Sequence, residues 1–276
     1  MKFKMKGLFS LALCCVFCAS LWAETAENLI ENYDLRTYSP QAIGAKDLVF
    51  RINVLGLTES LNQELSYGKL ENVYFEVYWQ APNDWRIEVE GMPAGFIEKK
   101  TVLASLVVGY LGYVIPQKLA PKVSGYALVV GPQGAGYVIK GEDKSNVRGI
   151  NKIEIVFDQE GKTTSFKTFA PNGVQGNIFS YKNRTWANNK WAFDRVVIET
   201  IQGFRKTVSE TDIKFLTVAG FAFPETIKVS TKVGFNNGKE LDPKTESKLE
   251  LQFSKYEVNT GKAAKYFLKL APKKKP

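Results

Sequence analysis

The chain has 276 residues, no histidine and three cysteines, and its 37 Lys and Arg residues outnumber 28 Asp and Glu residues. Without histidine, the usual general base, the Ser-His-Asp triad and the commonest metal ligand are missing. Cys14, Cys15 and Cys18 all lie within the first 23 residues. Once those residues are removed, thiol catalysis, disulfides and cysteine-based metal sites are excluded as well. We therefore expect a protein that is not an enzyme and that needs no cofactor and no metal.

The first 23 residues have the features of a secretory signal peptide. Lys2, Lys4 and Lys6 precede an apolar run over residues 7–22, and Ala23 offers a small residue for cleavage. The apolar run is short for a membrane anchor of about 20 residues. A lipoprotein signal needs a small residue before its cysteine, and none of the three cysteines has one. We therefore expect a cleaved export signal, with a lipidated form as the less favoured alternative.

The first part of the exported chain predicts a helix followed by strands. Residues 24–44 have apolar residues near helical spacing, with Ser39-Pro40 as an interruption. Residues 47–56 alternate in the manner of a strand, and residues 70–91 form two alternating runs around the turn Pro82-Asn83-Asp84. The apolar side chains of that hairpin share one face: Val73, Phe75, Val77, Trp79, Trp85, Ile87 and Val89. Such a face requires a cover, which can be a helix, a second sheet or a ligand.

Residues 101–115 interrupt the series of strands. They are uncharged, lack strict alternation and end at Pro116. At about 1.5 Å per residue, a helix of this length does not cross a bilayer core of about 30 Å. Two interpretations remain open, namely a buried helix and a mobile apolar lid over a cavity.

The rest of the chain predicts short strands separated by Gly, Pro, Asn and Asp turns. The predicted strands cover residues 126–130, 136–141, 151–158, 163–169, 176–182, 191–200, 211–218, 226–233 and 248–258. This pattern indicates a mainly β chain with a few helices (α+β), folded as one unclosed antiparallel β-barrel or half-barrel over residues 24–270. The basic tail, residues 271–276, either touches anionic membrane surfaces or is a solvated terminus.

Motifs for catalysis are weak. Ser66 and Lys69 match the S-x-x-K pattern of penicillin-binding enzymes, but the accompanying S-D-N and K-T-G motifs are missing. Gly161-Lys162-Thr163 imitates the end of a P-loop without its earlier glycine, and a turn between strands offers no helix to hold phosphate. Glu88 and Glu90 fall on the polar face of the hairpin, which is typical of a solvated surface. Nucleic acid is a poor partner for an exported chain without a basic aromatic motif.

The order of elements resembles the periplasmic lipoprotein carriers and receptors of the Lol pathway and their wider superfamily. Residues 78–86 (YWQAPNDWR) are similar to the strand–Arg-Pro-Asn–strand feature of that family. Phe223-Pro224 and residues 253–259 (FSKYEVN) are similar to its closing strands. Ala81 stands where the carriers have an arginine that latches the lid, so the resemblance does not extend to that latch.

The resemblance implies a half-barrel covered by helices that binds acyl chains in the periplasm of a Gram-negative bacterium, with a membrane or membrane protein as a further partner. The candidate groove residues are Phe50, Ile52, Val73, Phe75, Val77, Trp79, Trp85, Ile87, Leu103, Leu106, Val107 and Tyr110. We expect a non-catalytic binder of lipid or lipoprotein acyl chains. Three alternatives stay open: a filled core without a cavity, an envelope regulatory module that binds a protein on the same fold, and an envelope hydrolase.

Overall fold

The computed structural model describes residues 24–64, 69–145, 147–187, 189–237, 241 and 245–270. The helices in this part of the chain are α1 Ala26–Arg36, α2 Leu57–Glu64, α3 Ile97–Val108, α4 Leu111–Val114, α5 Leu119–Val123 and α6 Lys262–Leu270, with 3-10 turns at Gln41–Ile43 and Thr185–Ala187. The strands are β1 Asp47–Val54, β2 Tyr74–Gln80, β3 Asp84–Glu90, β4 Ala127–Gln133, β5 Gly136–Glu142, β6 Lys152–Phe157, β7 Thr163–Ala170, β8 Gly173–Asn183, β9 Trp191–Gln202, β10 Arg205–Val218, β11 Phe221–Phe235 and β12 Ser247–Val258.

The strands form one antiparallel sheet in the order β3-β2-β1-β12-β11-β10-β9-β8-β7-β6-β5-β4. Consecutive strands are neighbours everywhere except at β3 and β4, and β1 pairs with both β2 and β12. The edge strands β3 and β4 do not pair with each other, so the sheet stays open. The predicted fold class is therefore confirmed: the protein is mainly β, with an unclosed half-barrel and covering helices.

The predicted strands are confirmed, but β10 and β11 begin several residues earlier than expected. The predicted strand at residues 226–233 starts after Pro224, because proline cannot donate to a ladder. In the structure it pairs with Phe215 at a β-bulge after Lys214, and the bulge accommodates the missing N–H group. The two strands therefore continue on both sides of the irregularity.

The helices differ from the expectation in two places. The predicted helix at residues 24–44 ends at Arg36, and a separate 3-10 turn follows at Gln41–Ile43. Residues 262–270, for which no helix or strand was predicted, form α6. The Tyr266 ring of this helix stacks on Tyr78 of β2 with 4.1 Å between the ring centroids. The helix is therefore packed on the outer face of the sheet.

The two largest hydrophobic cores of the described residues lie on the inner face of the sheet. The larger one joins β1, β2, β11 and β12 to α3 and α4, and its fully buried members include Phe50, Phe75 and Trp79. The smaller one joins α1 and α5 to β5 and β6, with Ile139 and Ile155 at its centre. Strands β7, β8 and β9 lie between these cores, and their inner face borders a cavity.

Candidate ligand-binding cavity

The predicted groove residues mostly lie in the larger core. Eight of them are buried there: Phe50, Ile52, Val73, Phe75, Val77, Trp79, Leu103 and Val107. Trp85, Ile87 and Tyr110 are partly buried against the same core. Leu106 faces away and is 45% exposed. As ligand contacts these residues remain a prediction, and most of their surface is already occupied by neighbouring side chains.

An open groove runs along the sheet edge between β3 and α3. Trp85 and Ile87 contribute to it from β3, and Ile97, Ala104 and Val108 contribute from α3. Its rim carries charged side chains, including those of Arg86, Glu88 and Lys100. Arg86 is on the outer side of the hairpin, where its Nε donates to Glu88 Oε1 over 3.1 Å. The groove is thus a surface feature with a mixed lining.

A second cavity, of about 320 Å³, lies against the inner face of β7, β8 and β9. Residues that pair across neighbouring strands lie side by side, and each such row is called a level of the sheet here. Phe166, Asn177 and Ile198 form one level of the sheet, and Phe179 and Val196 form the next. Levels two residues apart along a strand are separated by about 7 Å. The strand side therefore presents a continuous, largely aromatic and aliphatic wall.

A β-bulge brings Phe193 and Val196 onto the same wall. Tyr181 pairs with Phe193, whereas Ser180 pairs with Arg195, so one extra residue is inserted into β9. Strict alternation through Phe193 would instead direct Arg195 and Val197 inward. For this reason a period-two reading of the sequence does not find the wall. The sequence does carry one signal of this wall. Val196 and Ile198 are apolar at even-numbered positions, whereas Phe193 stands at an odd-numbered one, so the alternation shifts by one residue between them.

The helical side of the cavity leaves space next to the sheet. Gly109 and Gly112 flank the start of α4, and a Cβ atom placed on either glycine would meet no other atom within 4 Å. Tyr113 and Pro116 complete this part of the lining. Burial raises the pKa of the Tyr113 hydroxyl to about 12, so this group stays neutral at physiological pH. The small residues keep the volume open.

Polar groups occupy defined places in the lining. The hydroxyls of Tyr33 and Tyr181 are 2.9 Å apart, and the Thr163 hydroxyl also bonds to that of Tyr181. Desolvation raises the pKa of both tyrosines, which keeps this hydroxyl network neutral. Asn177 Oδ1 is buried and has no hydrogen-bond partner among the described residues. Lys122 reaches the cavity from α5.

The described residues contain no group of three or more His, Cys, Asp or Glu side chains placed to hold a metal ion. Within the same part of the chain, none of the helices combines the length and the apolar character needed to cross a membrane. Residues 1–23 and 271–276, predicted as signal peptide and basic tail, lie outside the described residues, as does Ser66 of the S-x-x-K match.

No protein-family model matches the chain, and no curated protein matches it. Among solved structures, a match is the crystal structure of MucB in complex with MucA(peri). It is 10% identical in sequence, with a TM-score of 0.19, and the match covers 86% of this chain and 94% of that chain. A TM-score this low supports no inference about fold or function.

Proposed function

We propose that this protein is an exported, non-catalytic binding protein that holds one acyl chain of a lipid or lipoprotein in the cavity against β7, β8 and β9. The observation that carries the proposal is an open volume of about 320 Å³ with an aromatic and aliphatic wall. That volume falls in the range of small-molecule sites, which is roughly 300–1,000 Å³. The proposed site lies on the same inner face as the predicted groove but on different strands.

The volume sets the size of the ligand. A group of water size takes about 30 Å³, so the cavity holds on the order of ten methylene groups. Each buried methylene contributes about 0.8 kcal/mol, for a gross gain of about 8 kcal/mol before the cost of ordering the chain and losing its translational freedom. One medium-length chain fits this estimate, whereas two full-length chains would fit only if the helical side of the cavity moved away from the sheet.

The export and the location are part of the same proposal. The basic and apolar pattern of residues 1–23 supports secretion, and a periplasmic location follows from the resemblance of the sequence to lipoprotein carriers. An acyl chain in water needs a shielding protein to cross such a compartment, because its methylenes favour an apolar environment.

Binding of a fluorescent naphthylamine dye to purified residues 24–276 tests the proposal. Val196 points into the cavity and the next residue, Val197, points to the opposite face of the sheet. We expect V196W to fill the volume and weaken dye binding at least tenfold, whereas V197W binds as the wild type does. Absence of dye binding to the wild type, or equal binding by V196W, would contradict the proposal.

A further inference from the structure

Lys122 is the one charged residue among the described residues that line the cavity. No carboxylate oxygen lies within 4.0 Å of its ammonium group in the described part of the chain. Asp34 is the nearest source of compensation, but its two carboxylate oxygens accept hydrogen bonds from the backbone N–H groups of Leu119 and Ala120, over 2.6 and 3.0 Å. The ammonium group is therefore available to a ligand.

The surroundings of Lys122 disfavour an uncompensated charge. Lys122 is exposed to solvent, and the protein around it partly desolvates the ammonium group and lowers its pKa, with Asp34 opposing this effect. An anionic ligand group in contact with the ammonium would restore the lost electrostatic stabilisation. A neutral ligand head would leave the cation without a partner.

Amide side chains also line the cavity. Gln117, Gln175 and Asn177 all border the cavity, and the buried oxygen of Asn177 has no partner among the described residues. A terminal amide offers both N–H donors and an acceptor, so these residues can bond the oxygens of a carboxylate or phosphate and any hydroxyl attached to it. The unpartnered Asn177 oxygen is an acceptor, so only a ligand head that carries a hydroxyl can satisfy it, whereas the amide N–H groups can donate to a carboxylate or a phosphate.

We propose that the cavity selects single-chain amphiphiles with an anionic head, which the Lys122 ammonium binds while the tail lies along Phe179, Val196 and Ile198. This inference rests on the proposed function, since it names the head group of the ligand that the same cavity holds. The lining supplies one positive charge and no negative charge, so charge complementarity favours a carboxylate or a phosphate over a neutral or cationic head. The volume admits one tail.

Titration calorimetry with decanoate, decyl phosphate and decanol tests the selection, because the three ligands share one tail and differ in the head. We expect the wild type to bind decanoate or decyl phosphate at least tenfold more tightly than decanol. K122Q should abolish that preference and leave the affinity for decanol unchanged. The control variant is K118Q, since Lys118 adjoins α5 without lining the cavity, and it should behave as the wild type.

The three ligands test the acyl cavity and the anionic selection separately. Equal affinities of the wild type for decanol and both anions, or an unchanged preference in K122Q, would overturn the anionic selection and leave the acyl cavity standing. Binding of none of the three ligands would refute the acyl cavity together with the selection. Of the two anions, the tighter binder identifies the head as a carboxylate or a phosphate, and a circular dichroism spectrum confirms that K122Q is folded.

Discussion

At the scale of single residues, Asp47 connects the first strand, β1, to the last helix, α6. This buried residue begins β1, and its carboxylate accepts hydrogen bonds from the backbone N–H groups of Gly261 and Ala264, over 3.0 and 2.7 Å. Both donors belong to the start of α6, where the first N–H groups have no partner within the helix. A strand residue thus caps a helix more than two hundred residues further along the chain.

Replacing Asp47 with alanine should lower the free energy of unfolding by about 1–3 kcal/mol, because the N–H groups of the helix start lose their acceptor. Urea unfolding measures the difference. Asp84 is an exposed aspartate at the start of another strand, and D84A should change the stability by less than about 0.5 kcal/mol. Equal effects of the two substitutions would contradict the capping role of Asp47.

Tyr38 makes a comparable contact in the interior. Its hydroxyl accepts a hydrogen bond from the backbone N–H of Ala222 over 2.7 Å, and its ring packs edge-on against Trp186. Y38F keeps the ring and removes the acceptor, so we expect a loss of about 1–3 kcal/mol in chemical denaturation. Y137F, at a more exposed ring on β5, is the matched control. A stability of Y38F equal to that of Y137F would show that the hydrogen bond contributes nothing.

At the scale of elements, α3 has one packed face and one exposed face. Leu103 and Val107 are buried against the inner face of the sheet, whereas Val102 is 61% exposed. This arrangement agrees with the buried-helix interpretation of residues 101–115. The second segment, α4, also packs its Leu111 and Val114 into the core.

A charge on each face of α3 distinguishes a packed helix from a mobile lid. V107D would place a carboxylate in a fully buried site and should destabilise the protein by at least about 3 kcal/mol. V102D introduces the same carboxylate on the exposed face of the same helix and should cost less than about 1 kcal/mol. Thermal unfolding of both variants gives the comparison, and a V107D variant as stable as V102D would mean that α3 is not docked in solution.

Local alternation predicted the elements better than it predicted the cavity. The hairpin at residues 70–91 is confirmed, with Trp79 opposite Trp85 in the register. The cavity wall depends on the β-bulge between Phe193 and Arg195, and a bulge leaves little trace in the sequence beyond a shift of phase. The place of Lys122 in the cavity lining was not predicted either. The reason is that α5 is a five-residue helix whose position is fixed by contacts with α1, which is distant in the sequence.

At the scale of the whole molecule, the chain has no histidine to titrate near neutral pH, and buried tyrosines dominate the response at alkaline pH. Burial raises the pKa of Tyr33, Tyr38, Tyr181 and Tyr256 above the ordinary value of 10.0. In the unfolded chain these hydroxyls ionise near pH 10, whereas the folded protein resists their ionisation. The stabilising contribution is therefore complete below about pH 10 and is lost as the pH rises further.

We expect the free energy of unfolding to fall as the pH rises above about 10, by up to about 1.4 kcal/mol per pH unit for each buried tyrosine. Urea unfolding at several pH values measures the fall. The ultraviolet absorbance of tyrosinate gives a second readout, since fewer tyrosines should ionise near pH 11 in the native protein than in urea. Identical titration in both conditions would contradict the burial of these hydroxyls.

The arrangement of the whole molecule explains where a ligand can fit. Helices α3 and α4 fill one half of the inner face, and α1 and α5 fill the other. The cavity lies between these two packed regions, against β7, β8 and β9. A half-barrel of this kind can bind a ligand without disrupting either core.

Extraction of lipid from purified protein tests the acyl-binding cavity most directly. Residues 24–276 would be expressed in a bacterial periplasm, purified without detergent, and extracted with organic solvent for mass spectrometry. We predict acylated molecules in nearly stoichiometric amount with the wild type and with V197W, and a large loss with V196W. A folded wild type that carries no acyl chain and takes none up would contradict the account and direct attention to a protein partner.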